Sequence, residues 1–229
     1  MIDRTNVAAL IPAYREEMHI GSVARRTMQH LDCVLVVDDG STDGTASEAR
    51  KSGAKVISHE TNCGKGAAIK TGLKELLGYC IEYVLILDGD GQHLPEEIPD
   101  FLTAANQSHA PFLLGNRMGD SEKMPLVRKL TNRFMSSQIS RVCRQTIPDT
   151  QCGFRMLRRD VISHMFCESN AYDYETEMLL IASREGFKIY PVPVSTVYSN
   201  EVSKIHPVKD TIRFFKLMSR YRGKIHSKK

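Results

Sequence analysis

No apolar run in the sequence approaches the roughly 20 residues that a membrane-spanning helix needs, so the chain is not expected to cross a bilayer. The N-terminus shows no charged-then-apolar leader, and no signal peptide is expected. Six cysteines, at positions 33, 63, 80, 143, 152 and 167, form no CxxC pair. A zinc site or a thioredoxin-like motif is therefore not expected, and the thiols are read as reduced and cytosolic. The GxGxxG dinucleotide fingerprint is missing, and TNCGKGAA (61–68) has neither that spacing nor the Walker A spacing. Calcium loops of the EF-hand type also fail. One begun at Asp88 puts His93 sixth and Pro99 twelfth, where glycine and glutamate are needed; one begun at Asp39 has Gly44 sixth but Arg50 twelfth. There is no internal repeat and no low-complexity segment.

What is present is ordinary for a soluble globular protein: 229 residues, 41% apolar and 25% charged. Such a length suits one domain with a small appendage and buries a full core without staples. The net charge of +4 is unevenly placed. Residues 203–229 carry nine Lys/Arg and one acidic residue, whereas the rest of the chain carries 22 basic and 26 acidic residues. The basic character belongs to the tail.

Short apolar runs alternate with helical patterns. VAALIPAY (7–14) is a short apolar run ending in a Pro-containing turn, and a helical pattern follows through His30, with Ile20, Val23, Ala24 and Met28 in phase. CVLVVDDGSTDGT (33–45) is a strand and a polar loop, followed by a helix over 46–52. AKVISHE (54–60) reads as a strand, 66–79 as a helix, and YVLILDGDG (83–91) as the fourth strand. Further on, 111–118 reads as a strand, 124–143 as a helix, 149–157 as a loop entering a strand, and 172–186 as a helix. Residues 186–198 read as an edge strand, because Pro191 and Pro193 remove ladder donors. Doubly buried strands alternating with helices predict an α/β fold with a mostly parallel sheet. The polar clusters at 12–17, 38–45 and 88–93 follow strand C-termini, the edge where open α/β sheets bind ligands. Residues 1–205 are read as one domain and 206–229 as the tail.

The chemistry centres on LILDGDGQH (85–93). In an extended segment, residues two apart share a side, so Asp88 and Asp90 can face one point beyond the strand. Two such carboxylates repel unless a proton or a cation lies between them. Oxygen ligands in an open site suit Mg²⁺ or Mn²⁺, with substrate phosphates completing the shell, and the flanking glycines let a diphosphate approach the backbone. The plainer reading is an acidic turn; a phosphatase with an aspartyl nucleophile is another, but it leaves the other polar loops unexplained. Asp38 and Asp39 end the second strand, where one can accept hydrogen bonds from a base or ribose, while Ser41, Thr42 or Asp43 can cap the next helix. Lys65, between two glycines at a helix start, can contact a phosphate or remain a solvated lysine.

IPAYREE, VVDDGSTDGT, NCGKGAAIKTG, LDGDGQH and GNRM, in this order, resemble the family-2 glycosyltransferases of GT-A fold. DTQCGFR followed by YDYETEMLL is closer to one branch, the dolichyl-phosphate mannose and glucose synthases and their bacterial polyprenyl-phosphate relatives. The resemblance covers about residues 7–205. It implies a GT-A-type, Rossmann-like fold, a nucleoside-diphosphate sugar donor, a divalent metal and inversion at the anomeric carbon. By motif position, Pro12, Ala13, Tyr14, Glu16 and Asp39 would hold the nucleotide and Lys65 would lie near the base. Asp88, Gly89, Asp90 and Gln92 would gather around the metal and diphosphate, with Asp88, Asp90 and Gln92 as metal ligands. Arg117 and Arg128 would meet acceptor or donor phosphates, and Lys204 would reach back to the diphosphate. Arg15 stands where the family usually has Asn.

A phosphate acceptor is already largely ionised at neutral pH, with a second pKa of about 6, and needs only positioning. A hydroxyl acceptor needs a base, for which Asp149, Asp173, Glu175 and Glu177 are candidates, with Asp149 and Glu177 favoured as site-lining. Arg155 would pair structurally with one of these acids. Cys152 reads as a small buried filler, and His93 as a cap or donor contact. In the tail, Lys209, Arg213, Lys216, Arg220 and Lys224 form one stripe opposite apolar residues, a basic amphipathic helix. Such a helix can lie on an anionic membrane or dock on the domain with its charges in solvent. The expected partners are thus a sugar nucleotide, a lipid phosphate or glycan acceptor and a membrane surface, but not nucleic acid. The expected location is cytoplasmic, peripheral on the inner membrane face. A nucleotide-binding module without catalysis and a nucleotidyltransferase remain as alternatives.

Overall fold

The structure, a computed structural model, describes residues 1–120, 124, 126–167, 169, 173–195, 214 and 216–221. Four parallel strands come first: β1 (Val7–Ala13), β2 (Cys33–Asp38), β3 (Lys55–Ser58) and β4 (Tyr83–Ile86). Helices α1 (Ile20–Met28), α2 (Thr45–Lys51) and α3 (Lys65–Leu76) connect them. Every residue of β1 is buried, as a central parallel strand covered on both faces must be. Beyond β4 come α4 (Ile98–Ser108), β5 (Phe112–Asn116), α5 (Leu126–Cys143), β6 (Arg155–Arg158), α6 (Arg159–Ile162), α7 (Asp173–Arg184) and β7 (Ile189–Pro193).

The sheet order is β3-β2-β1-β4-β6-β5-β7. Only β6 runs against its neighbours, antiparallel to both β4 and β5. The pairing of Ile86 with Arg155 carries the chain just before β6 to the end of β4, beside Asp88. β7 lies at the sheet edge, where Pro191 and Pro193 leave no inner ladder short of a donor. The sequence analysis assigns no element to residues 94–110, yet α4 forms there, with Ile98, Phe101 and Ala105 buried at helical spacing. A 3-10 turn begun by Pro95 leads into it, and Pro99 sits in its first turn, where an N–H would have no intrahelical partner.

Helix α3 sits close against β1. A Cβ on Gly72 would stand 2.1 Å from Leu10 Cδ1, and Leu10 is fully buried. Arg15 has φ +57°, the left-handed region that asparagine adopts more readily than other side chains. Its guanidinium lies 5.2 Å from the Tyr14 ring centre, a cation–π contact that offsets part of that cost.

In the tail, residues 214 and 216–221 are helical. Phe214, Leu217, Met218 and Tyr221 are buried in the domain core, while Lys216 and Arg220 are exposed. Tyr221 OH donates to Glu177 Oε1 at 2.8 Å, and Arg220 Nη1 lies 3.9 Å from the same oxygen. Lys209, Arg213 and Lys224 of the expected stripe lie outside the described residues.

Two stability changes are expected. Gly72→Ala will cost about 1–3 kcal/mol through overpacking, read as a lower denaturant midpoint at unchanged slope. Tyr221→Phe will cost about 1–3 kcal/mol by stripping a buried acceptor of its donor, read as a lower Tm; no change would mean the tail helix does not rest on Glu177.

Candidate active site

The buried apolar run Val84 to Leu87 carries the chain to the end of β4 and one residue beyond, and the chain then turns. His93 fixes the turn: its Nδ1 accepts the Asp88 amide N–H at 3.2 Å, and its ring stacks on Phe154 with centroids 5.3 Å apart. Burial pushes the imidazole down to about 4, so the ring is neutral and its proton is assigned to Nε2. Asp90 Oδ1 accepts the Gln92 N–H at 2.9 Å. Gly153, brought in ahead of β6, closes on Asp88: a Cβ there would stand 2.8 Å from Asp88 Oδ2. Gly89 packs on β1 in the same way, its would-be Cβ 3.4 Å from Ala13 Cβ and 3.5 Å from the Pro12 carbonyl.

Lys65 stands at the acidic pair. Its Nζ is 2.6 Å from Asp88 Oδ1 and 3.2 Å from Glu175 Oε1, and the three side chains are only 15–25% exposed. Burial alone would lower the lysine and raise the aspartate; the opposite charges outweigh it, raising Lys65 and lowering Asp88. Both are held charged at neutral pH. Arg155, fully buried, extends the row: its Nε donates to the Cys152 carbonyl at 2.9 Å and lies 4.0 Å from Glu175 Oε1, while its Nη1 donates to the Glu175 carbonyl. Of the four acids that the sequence offers Arg155, Asp149, Asp173, Glu175 and Glu177, the ion pair forms with Glu175.

Asp39 is occupied by its own loops. Oδ1 accepts the Cys63 N–H at 3.0 Å and Oδ2 accepts the Gly64 N–H at 2.8 Å, while His59 Nδ1 is 2.7 Å from Oδ1. The carboxylate thus ties the end of β2 to the loop that delivers Lys65. Asp39, His59 and Cys63 also bring three metal-capable atoms within 4.8 Å of one another, but both aspartate oxygens are already committed to amides. The 38–45 loop is bound to the loop after β1 by Arg15 N–H to Ser41 Oγ at 2.9 Å and Glu16 N–H to Thr45 Oγ1 at 2.8 Å. The N-cap of α2 is Gly44 and has no side-chain cap, so none of Ser41, Thr42 and Asp43 fills that position as expected; Asp43, just ahead of it, accepts the Thr45 N–H at 3.1 Å. Pro12 and Ala13 are buried at the end of β1, with Tyr14 and Glu16 half-buried beyond them.

Arg117 and Asp149, expected in separate roles, hold each other. Nε donates to Oδ2 at 2.7 Å and Nη2 to Oδ1 at 2.9 Å, with the aspartate fully buried. Asn132 Nδ2 adds a donor to Oδ1 at 2.8 Å. Burial works to raise the Asp149 carboxyl, but Arg117 and Asn132 outweigh it and keep it below the usual range. A sealed, ionised counter-ion is poorly suited to take a proton from substrate. Glu177 is 2% exposed and faces Tyr221, Cys167 and Ser169, none of which belongs to the Asp88 cluster. Glu175, two residues earlier, is the α7 acid that reaches it. Cys152 is fully buried and its thiol is pushed up to about 12, as a filler should be. Arg128 lies on α5 with its side chain outside the described residues, as Lys204 is altogether.

The Asp88–Asp90 corner fits a hard divalent cation. The donors are carboxylate and amide oxygens, and the missing Cβ of Gly153 leaves one face of Asp88 uncovered. Its charge is balanced by the ammonium of Lys65, a cation already drawn to that oxygen.

Comparison with known proteins agrees with this geometry. The family model described as glycosyl transferase family 2 matches residues 9–166. An uncharacterised protein of Methanocaldococcus jannaschii is 31% identical over 206 residues, 84% of this chain and 89% of its own. A UDP-N-acetylglucosamine–dolichyl-phosphate N-acetylglucosaminyltransferase of Methanococcus voltae is 29% identical, covering 83% of this chain and 85% of its own. Among solved structures, glucosyl-3-phosphoglycerate synthase of Mycobacterium tuberculosis in complex with UDP superposes with a TM-score of 0.74 at 20% identity, over 95% of this chain and 80% of that one. The same enzyme with Mn²⁺, UDP and phosphoglyceric acid gives 0.73 at 18% identity, over 95% and 78%. Sheet order, acidic corner and matched residues together place the chain in glycosyl transferase family 2, with the GT-A fold.

Proposed function

We propose that this glycosyltransferase moves a hexose, with inversion, from a UDP- or GDP-sugar to the phosphate of a polyprenyl- or dolichyl-type lipid. The observation that carries the reading is the acidic corner at the end of β4, with the Lys65 ammonium 2.6 Å from Asp88. Asp88, Asp90 and Gln92 would hold Mg²⁺ or Mn²⁺, which supplies positive charge to the departing diphosphate. The loops after β1 and β2, with Pro12, Ala13, Tyr14, Glu16 and Asp39, take the nucleotide, and Gly89, packed on Ala13 and the Pro12 carbonyl, lies beside them at the diphosphate. Lys65, kept protonated by Asp88 and Glu175, adds a fixed positive charge where the leaving group develops negative charge. Lys204 is assigned the same task.

The state of the carboxylates supports a phosphate acceptor. Asp149 is bound by Arg117, Glu175 by Lys65, and Glu177 by Tyr221, so three of the four candidate bases are engaged. A phosphate acceptor needs no base. It needs cations to orient it, the role given to Arg117 and Arg128, and Asp149 pre-orients the first of these. The Methanococcus voltae relative and a dolichyl-phosphate β-glucosyltransferase of Trichomonas vaginalis, 29% identical over 82% of this chain and 64% of its own, support a lipid-phosphate acceptor. Among the described residues, no helix is long and apolar enough to cross a membrane. A hydroxyl acceptor is the second reading, favoured by Asp173, whose Oδ1 is buried with no hydrogen-bond partner among the described residues.

Two experiments test this. With Mn²⁺ and polyprenyl phosphate, release of nucleoside diphosphate from UDP- and GDP-sugars should fall about 10²–10³-fold in Asp88→Asn and in Asp90→Asn, and with chelator; unchanged release would remove the acidic corner from the chemistry. Asp173→Asn should leave turnover within a few-fold, whereas a loss of about 10²-fold or more would point to a base and a hydroxyl acceptor.

A further inference from the structure

Three separate stretches of chain meet beyond the end of β2. Asp39 follows β2 and His59 follows β3. Asp38 pairs with Ser58 in the ladder, so the two residues leave the sheet side by side. The His59 N–H donates to the Asp38 carbonyl at 2.9 Å, which fixes its backbone there. Cys63 arrives from the loop ahead of α3, and that loop crosses directly over Gly40. A Cβ on Gly40, at φ +71°, would stand 2.4 Å from the Thr61 carbonyl carbon. A carboxylate oxygen of Asp39, a ring nitrogen of His59 and the sulfur of Cys63 come within 4.8 Å of one another. Asp39 is buried, His59 half-buried and Cys63 exposed, so the group opens to solvent on its sulfur side.

We propose that Asp39, His59 and Cys63 form a second metal site, one that takes Zn²⁺, and that Zn²⁺ held there keeps the nucleotide out. The exclusion rests on the reading of Asp39 as a nucleotide ligand; the metal site does not. An oxygen, an imidazole nitrogen and a thiolate suit zinc, whereas Mg²⁺ prefers oxygen alone, as at the Asp88–Asp90 corner. Three protein ligands with a fourth position open is a zinc arrangement that leaves room for water. The CxxC spacing that the sequence lacks is not needed, because each ligand comes from its own segment.

The amides of Cys63 and Gly64 do not exhaust Asp39. An ionised carboxylate offers about four lone-pair directions, and each amide uses one. His59 has a partner on each ring nitrogen: Nδ1 is 2.7 Å from Asp39 Oδ1, and Nε2 is 2.9 Å from Thr71 Oγ1. With the ring proton on Nε2 and donated to Thr71, Nδ1 turns a lone pair toward the carboxylate, and a cation fits between the two. Thr71 is then the outer partner that fixes the tautomer of a metal-bound histidine. The thiol gives its proton to solvent on binding. Asp39 in turn gives its free lone pairs to the metal and keeps none for a base or ribose.

Co²⁺ titration of the full chain, without nucleotide, tests the site, because a cobalt–thiolate bond absorbs in the near ultraviolet and cobalt on oxygens alone does not. Wild type should show that band, and stoichiometric Zn²⁺ should erase it. Cys63→Ser should abolish the band, and Asp88→Asn should leave it unchanged. His59→Gln should weaken Zn²⁺ at least as much as Thr71→Val, for which loss of an outer partner predicts about 10–100-fold. Should His59→Gln fail to fold, Cys63→Ser, at an exposed position, decides alone. With Zn²⁺ at about ten times its Kd, simple competition raises the apparent Kd of UDP or GDP, in excess Mg²⁺, about tenfold in wild type. Cys63→Ser should show no such rise, chelation of zinc by the diphosphate being the same in both. A wild type without the band, a band that persists in Cys63→Ser, or one that vanishes in Asp88→Asn would overturn the proposal. So would a nucleotide Kd that zinc shifts equally in wild type and Cys63→Ser. A thiolate band in a protein that binds neither UDP nor GDP would keep the zinc site and defeat the nucleotide reading, and the exclusion with it.

Discussion

The site is organised by one requirement: negative charge gathered at the end of a buried strand must be balanced where water is scarce. Lys65 meets it. Its ammonium lies between Asp88 and Glu175, bringing the β1–β4 half of the sheet and the α7 side into one electrostatic unit. In this partly enclosed setting the attraction is stronger than in water, and burial opposes the charged forms without overcoming it. The supports follow from that contact. Asp39 ties down the loop that carries Lys65, His93 holds the Asp88 backbone, and Arg155 steadies Glu175. A second ionic unit, Arg117 with Asp149 and Asn132, is sealed more tightly. It keeps a guanidinium in a fixed plane, which suits recognition of a phosphate better than proton transfer.

Much of this was legible in the sequence. Doubly buried parallel strands appear as uninterrupted apolar runs, and polar residues after each run mark the edge where loops converge, so the α/β class and the acidic corner could both be read directly. Side-chain pairing was harder. Asp149 reads as a turn acid beside Pro148, and nothing local shows that its partner is Arg117, 32 residues earlier. Glu175 and Glu177 are two apart on a helix and point to nearly opposite sides, but almost all of α7 is buried, so periodicity could not say which side faces the lysine. Lys65 was placed near the base by motif position, whereas the fold turns it to the acids. Helix α4 was also legible, in the helical spacing of Ile98, Phe101 and Ala105, but Pro95 and Pro99 at its approach and first turn give that stretch the look of a loop.

The C-terminal segment shows how one pattern can serve two solvents. Its alternation of apolar and basic residues fits a membrane surface and a protein surface equally well from sequence. In the described part the apolar residues go to the core, with Tyr221 donating to Glu177. Helix α5 is the converse in its first half: Leu126, Val127, Leu130 and Phe134 are exposed, while the inner side there carries Asn132 and Ser136, in polar contact with Asp149 and Thr150.

The single reversed strand has a wider effect. In a purely parallel sheet, each strand offers one edge only the loop that leaves it. Because β6 runs backwards, it offers that same edge the loop that enters it, and residues 149–154 arrive beside Asp88 with no crossover helix between them and β6. The two walls of the cleft are therefore encoded by separate stretches of chain. The length and composition of the 144–154 segment can vary without disturbing the register of β1 through β4, so one wall of the cleft can be remodelled while the other keeps its shape.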